Sequence, residues 1–195
     1  MMDLVIATRN AGKIKEIKAL LTHGDFCVHS LAEFPNLKEV EEDGETFAAN
    51  ALKKARAAAV FSGMPALADD SGLCVAALQG RPGVHSARYA GEGASDAENV
   101  ARLLTELAPY PAPWHAAFEC VMAFCTPDGK EQLFHGRLSG RIIAERRGAN
   151  GFGYDPVFLV PEYGKTLAEL PLDIKNRISH RAQALRQVIA WLQTL

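Results

Sequence analysis

Cysteine is scarce in this sequence: Cys27, Cys74, Cys120 and Cys125 are the only four in 195 residues, and no two form a CxxC pair. That excludes a disulfide scaffold, makes structural zinc unexpected, and reads as free buried thiols in a reducing cytoplasm. Surplus charge is also missing. The 21 Lys and Arg stand against 23 Asp and Glu, a formal net charge of -2, so no global basic footprint exists for nucleic acid or an anionic membrane. An anionic ligand must be held by local Lys and Arg. No apolar run approaches the length of a membrane span. The opening "MMDLVIATRN" has neither a basic leader nor a small-residue cleavage site, so a signal peptide is not expected. Repeats, low-complexity segments and interdomain linkers are absent too. What remains is a chain with 48% hydrophobic residues, enough for one soluble domain over residues 1–195 with a sizeable core.

The apolar run "DLVIA" predicts a buried strand, and a helix follows from about Gly12 to Leu21. A second strand is expected at "FCVHSL". The polar loop "PNLKEVEEDGE" leads to an Ala-rich helix from about Phe47 to Phe61, stopped by Gly63 and Pro65. "ALADDSGLCV" reads as strand, acidic turn, strand, and the Gly-rich "GRPGVHSARYAGEGA" as a loop. Ser95, with Glu98 three residues on, opens a helix that runs to about Leu107. "AAFECVMAFC" and "KEQLFHGRLSGRII" flank the hairpin signal "TPDG". A loop, "RRGANGFGYDP", precedes the strand "VFLV", and a last helix begins near Ser179. Strand–helix units followed by a hairpin predict an α/β fold with a mixed sheet.

Four segments could carry chemistry. "TRNAGK" lies between the first strand and the first helix. It lacks the leading Gly of a P-loop and has Ile14 where that motif carries a hydroxyl, so it is not a Walker A sequence. Its residues still suit phosphate. Thr8 and Asn10 offer hydrogen bonds, Gly12 allows close backbone approach, and Lys13 adds charge near a helix N-terminus. The second set is acidic: Glu41 and Glu42, then Asp69 and Asp70. Neighbouring carboxylates on a strand point to opposite faces, so only one of Asp69 and Asp70 can readily face a given cleft. Hard oxygen donors supplied singly from separate segments suit Mg²⁺. In "GANGFGYDPVF", glycines free the backbone around Phe152, whose ring could stack on a base. In "KNRISHRAQAL", Lys175, Arg177, His180 and Arg181 cluster at the start of the last helix, where cations need an acceptor to offset them.

The ordered set "ATRNAGK", "EEDGETFAANALKKA", "LADDSGL", "GRPGVHSARYAG", "GANGFGYDPVF" and "ISHRAQAL" resembles the inosine/xanthosine triphosphate pyrophosphatases (RdgB-like), from about Ile6 to Leu185. That resemblance implies an elongated, two-lobed α/β fold related to Maf proteins, with a mixed sheet and the nucleotide in a cleft between the lobes. It implies a cytoplasmic homodimer that hydrolyses ITP, dITP and XTP to the monophosphate and pyrophosphate with Mg²⁺. Carried over by motif, Thr8, Arg9, Asn10, Ala11, Gly12 and Lys13 would hold the phosphates, assisted by Lys54. Asp70 would be the catalytic base or a metal ligand, with Glu41 or Glu42 completing the metal site, and Ser71 would contact substrate. Phe152, Gly153, Tyr154, Asp155, Lys175, His180 and Arg181 would form the base pocket. Arg9 stands where the family often has Gly, and it could add a phosphate contact or point to solvent.

Selectivity would follow from hydrogen bonding. Hypoxanthine and xanthine present a 6-oxo acceptor where adenine presents an amino donor, and an unpaired buried donor costs on the order of 1–3 kcal/mol. Two rivals remain: a Maf-like pyrophosphatase of other modified triphosphates, and a nucleotide-binding module without catalysis.

Overall fold

The computed structural model describes residues 2–21 and 26–194. Met1 and Leu195, the outer limits of the expected domain, lie outside the described residues. In chain order the elements are β1 (Met2–Ile6), α1 (Ala11–Leu21), β2 (Phe26–Ser30), α2 (Phe47–Ser62), β3 (Ala66–Val75), α3 (Asp96–Leu107), β4 (Trp114–Cys125), β5 (Glu131–Ile142), β6 (Phe158–Val160), β7 (Lys165–Thr166), α4 (Leu172–Ile178) and α5 (His180–Leu192). The seven strands form one sheet in the order β2-β1-β3-β4-β5-β6-β7. β1 runs parallel to β2 and β3, whereas β6 is antiparallel to β5 and β7, so the sheet is mixed as expected. The chain forms two compact units: unit 1 takes Met1–Asp70, Cys120–Gly136 and Arg181–Leu195, and unit 2 takes Ser71–Glu119 and Arg137–His180.

In unit 1, alternate strand residues divide between two apolar clusters. Leu4, Ile6 and Leu67 pack with Ile17 of α1 and Leu185 and Val188 of α5. Val5, Ala66 and Ala68 pack against Ala51, Ala55, Ala58 and Ala59 of α2. Small side chains on that face of α2 let the helix approach the strands closely. Thr46 caps it by accepting from the Ala49 N–H at 3.1 Å, and Gly63 ends it in the left-handed conformation at φ 68°.

Unit 2 has its own core, with Val100, Leu103 and Leu107 of α3 packed on Leu73, Tyr89, Phe118 and Phe158. The Ser95–Glu98 capping box forms as the sequence predicts. At the other end of α3, Glu106 accepts from the Tyr89 hydroxyl at 2.5 Å and pairs with Arg81 and Arg102. The Tyr89 contact is the main cause holding the Glu106 carboxyl below its usual range. A depressed folded pKa adds stability above the unfolded value and loses it as pH falls through the folded one. Glu106→Gln is therefore expected to cost about 1 kcal/mol at neutral pH, with the two arginines contributing little because they are exposed. The difference should shrink below the ordinary glutamate range, as urea titrations at several pH values would show.

Three expectations need correction. "ALADDSGLCV" contains no turn: it is the continuous ten-residue strand β3, because both aspartates find buried partners. The Gly-rich segment is not all loop, since residues Gly83–Arg88 form a 3₁₀ helix anchored by Asn99, whose amide accepts from Ala90 N at 2.7 Å and donates to Ala87 O at 3.1 Å. The cations of "KNRISHRAQAL" do not share one helix start. Lys175 and Arg177 lie on α4, and Ser179, extended at φ -62° and ψ 152°, separates them from α5.

Candidate active site

The segment after β1 is built around α1's first turn. Asn10 accepts from the Lys13 N–H through its side chain at 3.0 Å, capping the helix, and its own N–H donates to the Thr8 hydroxyl at 3.2 Å. Ala11 and Gly12 are the first helical residues. Arg9 does not simply point to solvent: its guanidinium donates to the Leu37 carbonyl at 2.9 Å. Lys13, mostly buried, reaches back to Asp69 at 3.1 Å.

The strand period separates the two aspartates as expected. Asp69 lies on the face of β3 that carries Leu67, where Lys13 and Arg181 both meet its Oδ2. Arg181 is 2% exposed, and it also donates to Glu16. Burial alone would raise the Asp69 pKa, but the charges of Lys13, Arg181 and Lys54 outweigh it and hold the carboxyl well below its usual range. A cation in the first turn of α5 is unfavourable by itself; Asp69 and Glu16 offset it from within the protein.

Asp70 lies on the face of Ala66 and Ala68, beneath α2. There it accepts from the Asn50 amide at 3.0 Å, and its other oxygen is 3.7 Å from the Lys54 ammonium. Asn50 is completely buried and also takes the Gly44 N–H at 2.8 Å. A Cβ on Gly44 would stand 2.6 Å from that amide oxygen, so glycine is required for the approach. Lys54 donates to the Glu42 carboxylate and to the Asp69 carbonyl, the latter at 2.7 Å. Burial would lower the Lys54 pKa, but Asp69, Asp70 and Glu42 more than offset this and raise it. Burial is also the first cause of the raised Asp70 pKa, against the opposing charges of Lys54 and Lys13.

One hollow of unit 1 is lined by Thr8, Arg9, Glu42 and Lys54. Glu41 is exposed and lines a different hollow with Lys53, Ala57 and Phe61. The structure thus gathers Glu42, and not Glu41, on the ammonium that also faces Asp70. Two carboxylates from separate segments fit a hard divalent ion such as Mg²⁺, which takes one or two carboxylates and leaves its other positions to water and phosphate.

In unit 2, Asp155 organises the Gly-rich segment. Its Oδ2 accepts from the Phe152 N–H at 3.1 Å and from the buried Lys175 ammonium at 2.7 Å. Gly151 stands at φ +80°, and a Cβ there would meet Asp155 Oδ2 at 2.0 Å. The Lys175 ammonium also lies 4.9 Å from the centre of the half-buried Phe152 ring. Tyr154 donates to the Ser86 carbonyl at 2.8 Å, and the Gly153 N–H donates to Asp96 at 2.6 Å. His180 stacks on Phe118 with ring centres 4.9 Å apart and planes 10° from parallel. Half-buried Ser71 follows Asp70 along β3.

A sequence model of the Ham1 family matches residues 4–191. The chain belongs to the Ham1 family. It is 57% identical over 186 residues to a dITP/XTP pyrophosphatase of Geobacter sulfurreducens, covering 95% of this chain and 94% of that one. It is 52% identical over 195 residues to a dITP/XTP pyrophosphatase of Desulforamulus reducens, covering 100% and 97%. The solved structure of a Ham1 protein from Coxiella burnetii superposes with a TM-score of 0.93 at 44% identity, covering both chains completely.

Asn50 and Glu16 were not among the expected site residues, and Asp69, named in the acidic set, was given no role there. Asn50 carried a readable signal: a lone amide on the Ala face of a helix, one turn before Lys54. Glu16 gave none, since its partner Arg181 lies 165 positions away, and the pairing of Asp69 with Arg181 across 112 positions was equally hidden.

Proposed function

We propose that Thr8 to Lys13, Glu42, Lys54 and Asp70 form the hydrolytic centre of a pyrophosphatase that converts dITP, ITP and XTP to the monophosphate and pyrophosphate. The observation that carries this reading is the Lys54 ammonium, held by Glu42 and facing Asp70 beside the Thr8 loop. Binding alone does not require so many carboxylates near phosphate, which disfavours a module without catalysis. Glu42 and Asp70 would hold Mg²⁺, which supplies charge neutralisation on the phosphates.

Asp70 orients the attacking water and takes its proton. Lys54 uses two of its three N–H donors on Glu42 and the Asp69 carbonyl, leaving one for a phosphate oxygen as charge develops on the leaving pyrophosphate. Lys13, fixed by Asp69, adds the second positive charge. In unit 2, Phe152 offers a ring for the base, and Lys175 and His180 are the candidate donors to a 6-oxo group. Asp155 and Tyr154 hold that segment in place. Because one family match spans residues 4–191, both units are read as one catalytic domain. The resemblance supports a homodimer, and the cysteine pattern agrees with the cytoplasm. Among the described residues no helix is long and apolar enough to cross a membrane.

The test is a product assay with Mg²⁺ that offers dITP, XTP, dATP and dGTP separately. Pyrophosphate from dITP and XTP, with little from dATP or dGTP, is the expected result. Release of single phosphate, or equal use of all four, would overturn it. A narrower prediction separates the neighbouring glutamates. Glu42→Gln should raise the Mg²⁺ concentration for half-maximal turnover on the order of tenfold or more, while Glu41→Gln leaves it unchanged.

A further inference from the structure

β2 is the outer strand of the sheet, and its outward residues do not resemble buried core. Cys27, expected to be buried, is exposed. It is the register partner of Asp3 in the parallel β1–β2 ladder, and His29, two residues further along β2, emerges on the same side. His29 Nε2 lies 2.8 Å from Asp3 Oδ1. One ligand atom from each of the three residues lies within 4.8 Å of the others. Behind them, Glu33 Oε2 is 2.8 Å from His29 Nδ1, and its Oε1 accepts from the Ser30 N–H at 2.7 Å.

We propose that Asp3, Cys27 and His29 form a metal site for a borderline, thiolate-preferring divalent ion, best matched by Zn²⁺, separate from the hydrolytic centre. The donor set is the argument. Sulfur and imidazole nitrogen suit zinc, cobalt, nickel or copper, and are poor ligands for Mg²⁺. Zinc bonds of about 2.0–2.3 Å place tetrahedral donors roughly 3.3–3.8 Å apart, so a modest opening of the His29–Asp3 contact admits the ion. Glu33 supplies the outer carboxylate that fixes a metal-binding imidazole through its second nitrogen. Three protein ligands leave a fourth position for water. Binding removes the proton from the Cys27 thiol and the one on His29 Nε2, and releases both to solvent. The ion would join edge strand β2 to β1. The sequence conceals such a site because its ligands come from two strands and not from a CxxC turn.

The test uses the untagged full-length protein in excess Mg²⁺, titrated with Co²⁺ as a spectroscopic probe. One equivalent should develop the near-ultraviolet absorption of a cobalt–thiolate bond, and one equivalent of Zn²⁺ should erase it. Cys27→Ser should abolish the band while dITP turnover stays at the wild-type level. Glu33→Gln should weaken cobalt affinity roughly 10- to 100-fold. Zn²⁺ should also raise the unfolding temperature of the wild type but not of Cys27→Ser. The remaining thiols are poor competitors. Burial pushes Cys74 up to about 11 and Cys120 up to about 12, and Cys125 is buried as well. No thiolate band in the wild type, or an undiminished band in Cys27→Ser, overturns the proposal.

Discussion

Asp70→Asn is expected to lower turnover of dITP by roughly 10²–10⁴-fold, the usual contribution of a general base, while nucleotide affinity is kept. The substitution preserves shape and removes the charge. Asn50 still has an oxygen to donate to, and Lys54 keeps Glu42 and the Asp69 carbonyl. The substrate contacts proposed for the Thr8–Lys13 loop are untouched. The same variant should unfold at a higher temperature than the wild type when no Mg²⁺ is present. Burial is the leading cause of the raised Asp70 pKa, so the ionised carboxylate costs the fold stability in the absence of a bound cation. A more stable and inactive protein is the mark of a residue kept for chemistry. Steady-state kinetics, nucleotide titration and a melting curve read the three effects separately. Turnover near the wild-type rate would remove Asp70 from the mechanism.

Arg181→Leu should produce the largest loss of stability. Its guanidinium is almost wholly buried and bonds to both Asp69 and Glu16. Truncating one partner of a buried ionic group typically costs about 3–5 kcal/mol, because the carboxylates left behind have lost their counter-charge. That is a large share of the roughly 5–15 kcal/mol that keeps a domain folded. Lys13 would then be the side chain left paired with Asp69, so the first turn of α1 loses support as well. Urea denaturation should show the drop, and Arg181→Lys should recover part of it. The resemblance assigns Arg181 to the base pocket. If base contact were its main role, Arg181→Leu would raise KM for dITP and leave the unfolding midpoint in place.

Local signals in this sequence were reliable where local physics decides the outcome. Ser95 and Glu98 close their capping box, "TPDG" makes its turn with Gly129 N–H donating to Thr126 O at 3.0 Å, and the Ala-rich helix stops at Gly63. The turn before α1 was legible for the same reason, since Asn10 caps the helix three residues before Lys13. Long-range pairing decided the rest. "ADDSG" carries turn-forming residues, yet Lys13 and Arg181 hold one aspartate and Asn50 holds the other, which keeps β3 straight. The break between α4 and α5 has neither proline nor glycine to announce it. Ser179 is simply extended there, and the Lys175 and Arg181 cations on its two sides bond to different partners, Asp155 and Asp69. Choosing Glu42 over Glu41 likewise depended on which side chain meets Lys54, which spacing does not reveal.

In the mechanism proposed for this site, water attacks the α-phosphorus and pyrophosphate leaves as one unit. Turnover of dITP in heavy-oxygen water, followed by mass spectrometry of both products, tests it most directly. One labelled oxygen in the nucleoside monophosphate and none in the pyrophosphate is the expected result. Label in the pyrophosphate would place the attack at the β-phosphorus and contradict the roles given to Asp70 and Lys54.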